Sequence, residues 1–180
     1  MKIKMMLSII AVAFVLFIAF GLYKASQLTY IEINKSVTIF GEKKKVFDMV
    51  KYLNNFPKWS PFLAQDPTQQ VEVKGTDGTV GAQYHWLGNK GKDVGYQEIV
   101  KIDELSFVGM KCDIQKPFQA QPTFDYSFNG GDGNVTVTQQ FKLSSGLIDA
   151  FFMWLFGVRK NMESTNEQGL QLLKQAVEKS

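Results

Sequence analysis

The sequence has one cysteine, Cys112, and one histidine, His85, in 180 residues. A single thiol excludes an intrachain disulfide and any cluster of thiolate ligands. Zinc needs several His, Cys or carboxylate ligands at helical or knuckle spacing, which one His and one Cys do not supply. Neither a metal nor a cofactor is therefore expected. Serine- or cysteine-based nucleophilic catalysis would have to use His85 as its base. His85 alternates with Tyr84 and Trp86 and so faces away from them, where a partly exposed strand histidine is the simpler reading. The glycines at 88 and 91 and at 130, 131 and 133 fall in turns with no helix following, so no phosphate loop is present. Net charge is only +3 and Lys43-Lys44-Lys45 is the one basic run, which leaves no electrostatic footprint for nucleic acid. Internal repeats and low-complexity segments are also absent.

What the chain does have is apolar residues, 45% of the total against 21% charged, enough to bury a core but with length for only one ordinary domain. Met5 to Tyr23, 19 residues, carries no charge. As a helix it matches the roughly 30 Å hydrocarbon core of a bilayer. Lys2, Lys4 and Lys24 bracket it, and Tyr23 suits the water–lipid boundary. Ala19-Phe20-Gly21 has the small-x-small form of a signal cleavage site, but the apolar run is long for a signal sequence and continues past it. The reading is a single-pass anchor over residues 1–26 and a folded domain over 27–180. Lysines are nearly balanced on the two sides; the orientation taken puts the N-terminus in the cytoplasm and the domain outside it.

Beyond Ser26 the period of the apolar pattern changes. Ile31, Ile33, Val37 and Ile39 alternate with polar residues as a strand does, and Val46, Phe47, Val50 and Leu53 recur at helical spacing, predicting a helix over 43–53. Pro57 and Pro61 forbid a long helix through Asn54–Phe62, which is expected to be a broken helical turn packed on the sheet through its aromatics. Alternation then marks antiparallel strands through Ala82, Tyr84 and Trp86; through Val94, Tyr96, Val100 and Ile102; and through Val108, Met110, Cys112 and Ile114. It continues from Phe118 to Phe128 and from Val135 to Leu143. A single helix is expected from about Leu147 to Lys179, with Leu155, Val158, Met162, Asn166, Gly169, Leu170, Leu173 and Val177 as its buried stripe.

This order, carried by Val46-Phe47, Trp59-Ser60-Pro61-Phe62, Gly81-Ala82-x-Tyr84-x-Trp86, Gly95 with Ile99, Lys116-Pro117, Val135-Thr136-Val137-Thr138 and Gly169-Leu170-x-x-Leu173-Lys174, resembles the SRPBCC superfamily of START-related and polyketide cyclase/dehydrase-like proteins. The similarity spans roughly Ile33 to Lys179. It implies an α+β helix-grip fold, a curved antiparallel sheet wrapped around a long C-terminal helix with a ligand cavity between them. Members bind lipids, sterols, polyketides and other apolar molecules, and some are enzymes. The chain departs from the pattern on its final strand, where relatives often place tryptophan and Gln139-Gln140 stands instead.

The expected lining of such a cavity is Trp59, Phe62, Tyr84, Trp86, Tyr96, Met110, Phe124, Tyr126, Met162 and Asn166, with Glu98 as the one acidic residue directed inward. Aromatic walls with few polar groups suit a bulky apolar ligand. No catalytic residue is assigned. Leu147 to Phe156, LIDAFFMWLF, is apolar on nearly every face, so Phe151, Phe152, Trp154 and Phe156 are expected to touch the membrane beside the cavity. The function expected is membrane-anchored binding or transfer of a lipid-like or other hydrophobic small molecule. The alternatives are a cyclase, dehydrase or hydrolase acting in the same cavity, and a ligand-free interaction module.

Overall fold

The computed structural model of the chain describes residues 2–179. A 25-residue helix, α1 (Lys2–Ser26), comes first, and it is long and apolar enough to cross a membrane. Seven strands follow, interrupted by helices on one side: β1 (Tyr30–Ile39), α2 (Lys43–Lys51), a 3-10 segment (Leu53–Lys58), α3 (Pro61–Gln65), β2 (Gln70–Lys74), β3 (Gln83–Gly88), β4 (Asp93–Asp103), β5 (Phe107–Lys116), β6 (Thr123–Gly131) and β7 (Asn134–Ser144). The chain ends in α4 (Leu147–Leu155) and α5 (Val158–Glu178). The strands form one antiparallel sheet in the order β1-β7-β6-β5-β4-β3-β2. This is the expected α+β helix-grip architecture.

Two prolines shape the link between α2 and the sheet. Pro57 lies inside the 3-10 segment, and Pro61 opens α3, where the missing amide is no loss and the Ser60 side chain accepts from the Leu63 amide. Asp77, in the β2–β3 connection, accepts from the amides of Leu53 and Asn54, and Asp66 accepts from the amide of Asn89 at the tip of the β3–β4 hairpin. These carboxylates tie the aromatic-rich segment to the sheet edge.

The core divides along α5. Its C-terminal half presents Leu170, Leu173 and Val177 to a cluster with α2 and the inner residues of β1 and β4 to β7, including Ile39, Phe47, Ile99, Val108 and Val137. A smaller cluster, Ile31, Ile33, Phe141 and Leu143, lies at the other end, with Leu28, Met153 and Met162 against it.

Three sequence expectations are corrected. The C-terminal helix is two helices: Gly157 takes φ 62° in the left-handed region, where glycine has no steric penalty, and this turns the chain between α4 and α5. Regular pairing of β6 starts only at Thr123, because Pro117 and Pro122 withdraw amides from the ladder and leave Ala120 bridged singly to Ile114. In β4 the inward residues are Gly95, Gln97 and Ile99, not Tyr96 and Glu98. Residues directly opposite in an antiparallel pair share a face, and Gln97 is paired with Tyr84 on one side and Cys112 on the other. The alternation read in the sequence joined Val100 and Ile102 to that of Tyr96. A bulge at Val100, between the pairs Ile99–Met110 and Lys101–Gly109, reverses the parity, so Ile102 returns to the core while Val100 stays exposed.

Candidate functional site

Between the sheet and the N-terminal half of α5 lies a cavity of about 340 Å3. Its floor is the inner face of the sheet: Tyr84 and Trp86 from β3, Gln97 from β4, Cys112 and Ile114 from β5, Phe124 from β6, and Phe141 and Leu143 from β7. Val158, Met162, Thr165 and Asn166 of α5 cover it. Phe56, Ser60 and Phe62 close one side, and Phe118, Ala120 and Pro122, before the regular part of β6, close another.

Six of the residues anticipated from the sequence are in this lining: Phe62, Tyr84, Trp86, Phe124, Met162 and Asn166. Trp59, Met110 and Tyr126 face the same side but are packed behind the wall in the core. The Trp59 indole N–H donates to the Met49 carbonyl at 3.1 Å, and its ring meets Phe56 and Tyr126 edge-on. Tyr96 and Glu98 lie on the outer face, where Tyr96 stacks on His85 and Glu98 accepts from Gln83. His85 is thus away from the cavity; burial, and then the nearby Lys74, push its pKa down.

Close packing holds individual lining groups in place. The Trp86 indole lies over Gly95, where a Cβ would come within 2.5 Å of the ring, and its N–H donates to Asp93 at 3.0 Å. Among the described residues, Asp93 is the one carboxylate in the lining, which contains no Lys, Arg or His. Burial pushes the Cys112 thiol up to about 12, with Asp113 adding to the shift. It therefore stays protonated at neutral pH, and its S–H points to the Gln97 side-chain oxygen at 3.9 Å. Burial likewise pushes the Tyr84 phenol up to about 12, which keeps it a hydrogen-bond donor. A thiol held in this state is a poor nucleophile, and the lining as a whole suits non-covalent binding of apolar surface.

Gln97, Cys112 and Thr165 escaped the sequence reading. The parity break in β4 hides Gln97, and alternation places Cys112 on a strand without giving its depth. Gln139, flagged as a departure on the final strand, is buried behind the wall and donates to the Tyr126 hydroxyl at 2.8 Å. No group of three or more His, Cys, Asp or Glu side chains suited to a metal comes together among the described residues.

The cavity end of α5 adjoins α4, and α4 packs on the end of α1. Gly21 and Ala25, buried and one helical turn apart on α1, form a small-residue surface of the kind that lets helices approach closely. Phe151 and Trp154 fill it: a Cβ on Gly21 would collide with the Phe151 ring and lie 2.7 Å from Trp154. Trp154 also meets Phe17 and Phe20 of α1 at 5.8 and 5.9 Å between ring centroids. Phe152 and Phe156 point elsewhere and are 51% and 70% exposed, beside Ile148 at 73%.

No family model matches the chain, and no curated protein matches it by sequence. Solved structures do match in fold. Ara h 8.0201 is 15% identical, covering 84% of this chain and 99% of its own, with a TM-score of 0.61. MLL2253 from Mesorhizobium loti is 9% identical, covering 83% and 98%, with a TM-score of 0.62. DynU16, from the dynemicin biosynthetic locus, is 11% identical, covering 82% of this chain and 47% of its own, with a TM-score of 0.56. At these identities the likeness is one of fold.

Proposed function

We propose that this chain is a membrane-tethered member of the SRPBCC superfamily that binds or transfers an apolar small molecule in the cavity between its sheet and α5. The observation that carries the reading is the cavity itself, walled by aromatic and aliphatic side chains from four strands and a helix and lying within the roughly 300–1,000 Å3 range of small-molecule sites. An interior meant only for stability would be filled, because packing to crystal-like density is what a core gains from. DynU16's place in a biosynthetic locus puts one chain of the same fold beside small-molecule chemistry. Residues 1–26 act as the anchor and 27–180 as the binding domain, on the extracytoplasmic side. Native mass spectrometry of the full chain released from lipid nanodiscs is expected to show a bound apolar species of small-molecule mass. Protein that is free of such a species in every preparation, and that takes up none when offered, would overturn the reading.

The membrane contact proposed for α4 is divided between its faces. Phe151 and Trp154 dock α4 on the anchor, while Phe152 and Phe156, with Ile148, enter the interfacial layer of the bilayer and bring the cavity end of α5 to the lipid surface. A contiguous exposed apolar surface next to a bilayer-spanning helix is expected to be covered by lipid. Because Cys112 is buried, Phe152→Cys or Phe156→Cys offers a single accessible thiol for an environment-sensitive fluorophore. In nanodiscs, lipid-attached nitroxides are expected to quench a probe at either position strongly and one at Asn134→Cys, on the β6–β7 turn, little. Equal quenching at all three positions would count against the contact.

A further inference from the structure

Among the described residues, two polar groups in the cavity wall have no protein partner. Asn166, on the inner face of α5, is 6% exposed, and Tyr84, on β3, is 2% exposed; neither the Asn166 Nδ2 amide nor the Tyr84 hydroxyl finds a hydrogen-bond partner. Buried donors are almost always satisfied in folded proteins, so each exception calls for a specific explanation, and one that lines a cavity is placed to be met by what the cavity holds. The two lie on opposite walls of the same cavity, one on the helix and one on the sheet, and both line it. The Gln139 oxygen is also unpartnered, but it sits behind the wall with its amide committed to Tyr126.

The charges of the lining narrow the chemistry. A carboxylate or phosphate ligand would be buried with no Lys, Arg or His beside it, and an unpaired buried anion is strongly disfavoured. A pure hydrocarbon would leave both donors unsatisfied. We propose that the cavity is built for a neutral apolar molecule carrying a hydrogen-bond-accepting oxygen, of the ketone, ester or alcohol class, received by the Tyr84 hydroxyl and the Asn166 amide. The proposal rests on the cavity's being a binding site and adds which ligands it selects.

Equilibrium dialysis of the full chain in lipid nanodiscs, with matched empty nanodiscs subtracted, tests it with three probes of one ring system: 2-acetylnaphthalene, 2-ethylnaphthalene and 2-naphthoate. Intrinsic hydrophobicity differs among the probes, so the informative quantity is the ratio of acetyl to ethyl affinity and its change on substitution. That ratio is expected to fall about three- to tenfold in Tyr84→Phe and again in Asn166→Leu. Retained binding of 2-ethylnaphthalene shows that each variant keeps its cavity, and Tyr84→Phe alone carries the test should Asn166→Leu fold poorly. If both hydrocarbon and ketone bind and the ratio stays unchanged in the variants, the cavity binds ligands but the polar recognition is wrong. Tighter binding of 2-naphthoate than of either neutral probe would also overturn it. Absence of binding by all three probes would overturn the cavity reading itself, and this inference with it.

Discussion

Replacing Trp59 with alanine is expected to cost about 3–5 kcal/mol of folding stability, the range for truncating a fully buried large aromatic. Trp59 is 2% exposed, and its ring makes edge contacts with Phe56 and Tyr126 at 4.7 and 5.9 Å. The truncation also strips the Met49 carbonyl of the indole N–H that donates to it, leaving a buried acceptor unmet. In a chain of this size a loss of that order lowers Tm by about 6–20 °C. Phe62, three residues on, gives the contrast: it lines the cavity and is 46% exposed, so Phe62→Ala is expected to shift Tm little while weakening ligand binding. Thermal melting of both variants in nanodiscs, beside the dialysis measurement, separates the residue that builds the wall from the one that faces the ligand. A Tm for Trp59→Ala within a few degrees of the parent would show that the indole is not part of the core.

The sequence pattern groups Trp59 and Phe62 together, and only the assembled layers separate them. Alternation along a strand or a helical stripe decides which side a residue faces, and on that point β1, β3, β5, β6 and β7 were legible: Tyr84, Met110, Phe124 and Tyr126 all face inward. Alternation says nothing about how far along the sheet the covering helices press. Met110 and Tyr126 are enclosed in the packed cluster with α2, the 3-10 segment and the C-terminal half of α5, whereas Tyr84, at the margin of that cluster against Phe56, and Phe124 also line the cavity that Val158, Met162 and Asn166 cover. Depth is a property of the assembled layers. Tyr96 and Glu98 fail for a different reason: they precede the bulge at Val100, and the extra residue breaks the parity that would tie them to the inward-facing Ile102. The break at Gly157 was hidden because the apolar pattern stays helical on both sides of it, and only the left-handed conformation of one residue redirects the chain.

The same geometry links α1 to the cavity wall. Leu28, just past α1, and Met153 of α4 pack on the cluster of Ile31, Ile33, Phe141 and Leu143, and Phe141 and Leu143 are also cavity floor. The elements that pack beside α1 are therefore one side chain removed from the site.

Thr165→Trp is expected to abolish most ligand binding, weakening it by about a hundredfold, while leaving the fold intact. Thr165 lines the cavity from α5, so an indole there enters the ligand's space instead of displacing packed protein. Excluding the equivalent of about four buried methylenes, at roughly 0.8 kcal/mol each, removes about 3 kcal/mol of binding energy, or two orders of magnitude in Kd. Filling apolar volume does not by itself destabilise and often adds about 0.5–2 kcal/mol, so Tm is expected to hold or rise. Ser164→Trp, on the exposed side of the same helical turn, introduces the same indole into the same stretch of helix without reaching the cavity. Measured with 2-acetylnaphthalene in nanodiscs, parent and Ser164→Trp should bind alike and Thr165→Trp should not. Equal binding by all three would move the ligand site away from α5. A loss of Tm in Thr165→Trp would mean that the space beneath the helix is already closed, and that the domain has a packed interior and not a cavity built to be filled.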